Sequence, residues 1–344
     1  MSNVLMVGPS LDVHGGISTV INNLCDAGLT TKINLNYIGT MEEGSKAHKL
    51  FVAIKAYVRF IFKLSWADIV HVNAASDSSF IRKSFFIKAA KRRGKPVVLH
   101  QHGGDIFNYY NKAPTRIRLL IEETLNITDR IIVLSPQYRD FFRELADPSK
   151  ITILPNSIEV PASPDKIRPH DILFLGRICK DKGISELLTV MELIHDKIPG
   201  ATLYIGGIFE DESYKKEIEK HSEYVKYIGW INGQTKEDYL NRCGIFVLPT
   251  YYEGQPVSVL EAMAHNCAVI ASNVGGIPMM IENNFNGLLI TPKDVSSLCD
   301  ALMTLLRDTE FMGQLGENAH ETILTKFNIE TTIDNLIEIY NELL

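Results

Sequence analysis

The 344-residue chain has no run of about 18 uninterrupted apolar residues, which excludes a conventional membrane-spanning helix. Cysteine is scarce: Cys25, Cys179, Cys243, Cys267 and Cys299 are odd in number, scattered and never in a C-x-x-C pair. That pattern argues against a disulfide framework or a zinc site and fits a reducing cytoplasm. The glycine fingerprint G-x-G-x-x-G is missing, which counts against a dinucleotide site of the common kind. No Asp-x-Asp pair stands at the end of a strand-like run, so no acidic metal site is expected. The opening stretch NVLMVGPS lacks a basic n-region and a small-residue cleavage site, and reads as a first strand rather than a signal peptide.

What is present is enough apolar sequence, 45% of residues, for at least one sizeable core, in a length about twice that of a common domain, which makes two domains the starting expectation. Short β-rich runs alternate with helical stretches: NVLMVG, ADIVHVN, PVVLHQHG, DRIIVLS and KITILPNS in the first half, then DILFLGR, ATLYIGG, KYIGW, GIFVLPT, AVIASN and GLLITP in the second. Such alternation predicts parallel sheets covered on both faces. The stretch PASPDKIRP, Pro161 to Pro169, with three prolines and little apolar content, reads as the linker between two Rossmann-like halves. Residues 1–165 hold 20 Lys+Arg against 15 Asp+Glu, and the remainder 15 against 26, so the first half prefers anionic partners.

Loops at strand ends carry the candidate chemistry, because open α/β sheets bind ligands outside the carboxyl ends of their strands. VGPSLDVHGGIS places Gly15 and Gly16 before a helix, where backbone can approach a phosphate closely. LFLGRICKDKGISELL puts Arg177 and Lys182 past a strand; two cations at that spacing either neutralise a diphosphate or form an exposed charged turn. YEGQPVSVLEAMA sets Glu253 and Glu261 either side of a loop that opens a helix, so Gly254, Gln255, Pro256, Val257 and Ser258 would offer backbone and a dipole end to an anion. The alternative for that pair is a capped surface helix. SNVGGIPMMIENNFNGLLI supplies a further glycine turn at Gly275 and Gly276. Asp105 is a helix cap or an acceptor contact, and Asn156 in LPNS a turn former.

Taken in order, GPSLDVHGGIS, HQHGGDIF, LPNSIE, FLGRICKDKGISELL, LYIGG, YIGWI, VLPTYYEGQPVSVLEAMAHNCAVIASNVGGIPMMI and NGLLI resemble the retaining glycosyltransferases of family 4 along nearly the whole chain. Each motif alone is weak; the ordered set, with its E-x7-E spacing, is specific. The resemblance implies the GT-B fold: two Rossmann-like α/β domains facing across a cleft, over residues 1–163 for the acceptor and 164–326 for the nucleotide sugar, with a C-terminal helix, 327–344, returning to the first. It implies that Glu253 lies at the donor sugar, Glu261 at the nucleotide ribose, Arg177 and Lys182 at the diphosphate, Gly16 in a phosphate-facing loop, and His102 near the reacting carbon. His102 read by itself is a structural histidine as readily as a catalytic one. Two positions depart from the family pattern, Gln255 for a common aromatic and Met279 for a common acidic residue, and both bear on donor identity.

The activity so implied is transfer of a hexose or N-acetylhexosamine, from a UDP-sugar rather than GDP-mannose, to a glycan acceptor in cell-surface polysaccharide such as O-antigen or capsule. Fixed cations and oriented N–H groups would stabilise the departing phosphate, so neither metal nor cofactor is expected, and no residue is assigned as nucleophile. The run KAHKLFVAIKAYVRFIFKLSW has Lys55, Arg59 and Lys63 at i, i+4, i+8, and Lys88, Lys91, Arg92, Arg93 and Lys95 follow. Basic amphipathic helices lie on anionic membranes; a solvated basic stripe is the plain alternative. On the first reading the acceptor is lipid-linked and the protein sits peripherally at the inner face of the plasma membrane, with no nucleic-acid partner. A soluble acceptor is the enzymatic rival; an NAD-dependent oxidoreductase or a non-catalytic sugar-nucleotide binder are the rivals from other classes.

Overall fold

The computed structural model describes residues 1–103, 105–161 and 170–344. They fall into two compact units, Met1–Glu159 together with Ile329–Leu344, and Val160–Asn328. The proline-rich stretch 162–169, on which the linker reading and the 163/164 boundary fall, lies outside the described residues.

In the first unit six strands, β1 (Asn3–Gly8), β2 (Asn34–Gly39), β3 (Ile69–Ala74), β4 (Val97–Gln101), β5 (Arg130–Val133) and β6 (Ile151–Ile153), form one parallel sheet in the order β2-β1-β3-β4-β5-β6. Strands β3 and β4 are buried along their whole length, as a sheet covered on both faces requires. One face is filled by Phe60, Phe80, Phe86, Ile121, Leu125, Tyr138 and Phe142 against Leu5, Val7, Val70, Val72, Leu99 and Ile131. On the helix Ile329–Asn341, Tyr340 is buried with its hydroxyl 2.6 Å from His71 Nδ1, and Glu342 beyond it pairs with Arg130 at 2.6 Å. The chain leaves β1 toward β2 on one side and reaches β3 on the other, so the order reverses between β1 and β3.

The second unit repeats the plan with β7 (Asp171–Leu175), β8 (Thr202–Gly206), β9 (Val225–Gly229), β10 (Ile245–Leu248), β11 (Ala268–Ser272) and β12 (Leu288–Ile290), in the order β12-β11-β10-β7-β8-β9 and again parallel. Its central runs DILFL, IFVL and AVIAS are completely buried. Here the order reverses between β7 and β10, which are hydrogen-bonded neighbours. Reversal leaves a crevice at the carboxyl ends of those two strands, because their following helices go to opposite faces.

The helix Lys46–Lys63 starts at Ser45, whose hydroxyl accepts the backbone N–H of His48, and turns Val52, Ala56 and Phe60 inward. Lys55 and Arg59 are exposed but Lys63 is half-buried, so the cationic row read from the sequence is not uniformly open. Among the described residues no helix is long and apolar enough to cross a membrane.

Candidate active site

Loops from three adjacent strands of the second unit, β7, β10 and β11, converge at its switch point. After β7 a short 3-10 turn, Lys180–Lys182, aims Lys182 at the loop after β10, and its ammonium contacts the Glu253 carboxylate directly. Both side chains are largely buried, so this pair is little screened. An ammonium has three N–H donors, and one committed to Glu253 leaves two for a second anion. The same turn is locked to the β10 loop: Asp181 accepts the backbone N–H of Tyr251 at 2.8 Å through its carbonyl, and the Tyr252 hydroxyl through its carboxylate.

Past Glu253 the backbone of Gly254, Gln255 and Pro256 is buried and leads into the helix Val257–Ala264, which has no side-chain cap. Pro256 at the N-cap has ψ 120, which ends the extended loop and points the first helical N–H groups, Val257 and Ser258, out of the helix end. Glu261 lies one turn further on, and its carboxylate accepts from Lys236 at 2.6 Å. From the β11 side the Gly275–Gly276 turn packs on the same loop, the Gly276 N–H reaching Gly254 O at 2.6 Å. Two glutamates, each held by a lysine, thus bracket an uncapped helix start.

Arg177 is placed differently from its expected partner. Its guanidinium pairs with Glu210 at 2.6 Å, and both side chains are more than half exposed. The two cations are therefore not drawn onto a common group; burial pushes the Cys179 thiol between them up, and both only oppose that shift.

In the first unit Gly15 is the N-cap of the helix Gly16–Asp26, and a Cβ at either Gly15 or Gly16 would meet nothing within 4 Å. Packing does not demand glycine there; the space outside is open. His102 follows β4, its backbone N–H bonded to Ala74 O at 2.8 Å and its Nε2 2.9 Å from Asn73 Oδ1. Since the Asn73 amide nitrogen donates to Val7 O, Oδ1 faces the ring, and Nε2 carries the proton. Nδ1 is then an acceptor, buried and with no partner among the described residues. His100 stacks on His102 with ring centroids 4.0 Å apart, and His71 lies 5.5 Å from His100.

Burial lowers the pKa of His102 to about 3, with the nearby His71 adding to the effect; His71 falls to about 3 from burial, and His100 well below the ordinary value from burial and its two neighbours. All three are neutral at pH 7. The unfolded chain takes up protons on them near pH 6.5 while the folded chain does not, so their contribution is undiminished above that value. It is lost as pH falls below about 6.5, for His71 and His102 until about 3, at up to roughly 1.4 kcal/mol per pH unit for each ring. Thermal unfolding should show a Tm that is flat between pH 8 and 7 and drops steeply below about 6.5. His100→Phe should flatten that drop, and a drop of unchanged slope would show that other groups cause it.

Several participants escaped the sequence. Lys236 sits in a polar helix, Gly233–Arg242, with no motif around it, and Asn73 and His71 lie inside a buried strand. Asp77, after β3, holds φ 58 and ψ −135, a conformation costing about 1–3 kcal/mol in a non-glycine residue. Its carboxyl is raised by partial burial and then by Asp105. Asp105 occupies the N-cap position of Ile106–Lys112 without capping it, and accepts from the Asn108 side chain at 2.7 Å. Only φ and proximity single out Asp77, and neither is visible in a linear text.

Residues 157–322 match the family model of glycosyl transferases group 1, and residues 39–160 that of glycosyltransferase family 4. With both units accounted for, the chain belongs to the family 4 glycosyltransferases, which transfer sugars from nucleotide-sugar donors in glycan synthesis. It is 25% identical over 300 residues, 79% of this chain and 75% of the relative, to the UDP-Gal:alpha-D-GlcNAc-diphosphoundecaprenol alpha-1,3-galactosyltransferase of Escherichia coli. Some other curated relatives are matched over about half of their own length. The GT-B architecture is shared with the sucrose-phosphate synthase of Thermosynechococcus elongatus, with a TM-score of 0.83 at 19% identity over 100% of this chain and 99% of the other. HepE of Anabaena, solved with UDP-glucose, gives a TM-score of 0.78 at 15% identity over 99% and 100%.

Proposed function

We propose that the protein is a retaining hexosyltransferase that moves a hexose or N-acetylhexosamine from a UDP-sugar to a lipid-linked glycan acceptor in cell-surface polysaccharide synthesis. The observation that carries the reading is the bracket of Lys182–Glu253 and Lys236–Glu261 around the uncapped start of Val257–Ala264. Carboxylates accept pairs of hydroxyl hydrogen bonds and so suit the diols of a sugar and a ribose; ammonium groups and helical N–H groups suit the diphosphate between them. As the glycosidic C–O bond breaks, charge develops on the leaving phosphate, and Lys182 with the N–H groups of Val257 and Ser258 stabilises it more than the ground state. These groups supply the positive charge that a metal would otherwise bring, and transfer is metal-independent. Support for a UDP donor and a lipid diphosphate acceptor comes from the Escherichia coli relative, whose name specifies both, and from HepE, solved with UDP-glucose.

The test is transfer from UDP-Gal, UDP-GlcNAc, UDP-Glc and GDP-mannose to a short-chain prenyl diphosphate glycan, with and without excess EDTA, and anomeric assignment of the product by NMR. One UDP-sugar should be turned over, with retention, at a rate EDTA leaves unchanged. Exclusive use of GDP-mannose, an inverted product, or activity abolished by EDTA and restored by Mg²⁺ would each overturn the corresponding part. Transfer only to soluble sugars would remove the lipid-linked acceptor.

A further inference from the structure

The helix Lys46–Lys63 carries two rows of opposite character outside its buried face. Leu50, Ile54, Val58 and Phe62, spaced by four, are all exposed, as is Phe51; Phe62 is 78% exposed and Phe51 65%. With Val52, Ala56 and Phe60 turned to the core, this row occupies the side away from the sheet. One residue further on, and so about 100° round the helix, runs the row Lys55, Arg59 and Lys63. The 18 residues contain five Lys or Arg and no acid. The next helix, Ser78–Arg92, packs on it through Phe86, which meets Tyr57 and Phe60 edge-on at 5.3 and 5.0 Å. That helix also lacks acidic residues and exposes Phe85 at 57%.

An isolated apolar side chain on a surface is ordinary, but a contiguous apolar row along a whole helix marks an interaction face. Its occupant must take up large apolar side chains and meet a line of cations beside them. A second copy of this chain meets the first condition and fails the second, because a two-fold contact would bring the same cations near one another. An anionic bilayer meets both: Phe, Ile and Val enter the acyl boundary while Lys and Arg extend along the helix to the headgroup phosphates. We infer that the helix Lys46–Lys63 is the seat of an anionic phospholipid membrane, lying in its interface with Ile54, Val58 and Phe62 inserted and Lys49, Lys55 and Arg59 on the lipid headgroups. The bulky apolar residues and the cations are both legible in the sequence; the packing of Val52, Ala56 and Phe60 decides which apolar row is left outside.

Co-sedimentation of the full chain with phosphatidylglycerol-containing vesicles, and with pure phosphatidylcholine vesicles, tests this without any donor or turnover. Its outcome is therefore separate from that of the glycosyl-transfer reading. Wild type should pellet with anionic vesicles and far less with neutral ones. Ile54→Ser/Val58→Ser/Phe62→Ser should weaken binding at least a hundredfold at any salt. Lys49→Glu/Lys55→Glu/Arg59→Glu should weaken it by about two orders of magnitude at low salt, and by less where salt already screens the wild type. A Phe62→Trp variant should shift its emission to the blue on adding anionic vesicles. Wild type remaining in the supernatant at low salt, equal binding to neutral vesicles, or a serine triple that pellets like wild type would overturn the inference. So would light scattering that shows a wild-type dimer and a monomeric serine triple, which would assign the face to a second copy.

Discussion

Lys182→Ala should lower kcat/KM by about 10²- to 10³-fold, the cost of removing one preformed group that stabilises developing negative charge. The loss should appear mainly in kcat, since the departing phosphate carries more charge in the transition state than in the bound donor. Arg177→Ala should cost less, nearer to tenfold, because its guanidinium is exposed and already paired with Glu210. Removing Lys182 also leaves the Glu253 carboxylate, only 15% exposed, without that ammonium, so part of the effect is loss of local order. Lys182→Arg separates the two contributions: it restores a charge next to Glu253 but not the compact ammonium, and should recover Tm more fully than kcat. Steady-state kinetics with calorimetry on the same preparations reads both. Near-wild-type turnover in both Ala variants would remove the leaving-group assignment.

Gly275→Ala should be the most damaging single methyl group at the Glu253 loop. Gly275 has φ +57, where an L-residue with a Cβ costs about 1–2 kcal/mol, and an added Cβ would stand 1.8 Å from the carbonyl oxygen of Glu253. The obstacle is backbone, not the end of a flexible side chain, so the loop that carries Glu253 must shift. Gly276 is confined less severely, with φ −86 and Gly254 O at 2.3 Å from its ideal Cβ. The expected result is a Tm fall of roughly 10 °C, at about 2–4 °C per kcal/mol for a unit of this size, with at least a hundredfold loss of kcat/KM. Gly16→Ala is the counter-case. Its Cβ meets nothing within 4 Å, so Tm should hold while kcat/KM falls if substrate phosphate approaches that backbone. A Gly275→Ala protein with unchanged Tm and turnover would mean that the two loops do not constrain each other.

The sequence by itself determined the architecture and marked the loops that carry Glu253, Glu261 and Lys182. Runs such as IVHVNA, DILFL and IFVL, apolar enough to be buried on both faces, permit little except parallel strands with helices between them, and each lies in a parallel sheet. The glycine turn at Gly275–Gly276, the Pro256 helix start and the E-x7-E spacing were equally legible, because each is a local backbone requirement written in adjacent residues. Tertiary structure alone decided the partners. Lys182 meets Glu253 from 71 positions away and Lys236 meets Glu261 from 25, by way of strand order, which no local pattern encodes. The tautomer of His102 depends on Asn73, one strand over, and its neutrality on a burial that the polar text of HQHGGD conceals. The same holds for the helix Lys46–Lys63. Its period announces an amphipathic helix, yet two apolar rows compete for the core, and only the packing of Phe60 against Phe86 decides that Val52, Ala56 and Phe60 are buried while Ile54, Val58 and Phe62 face outward.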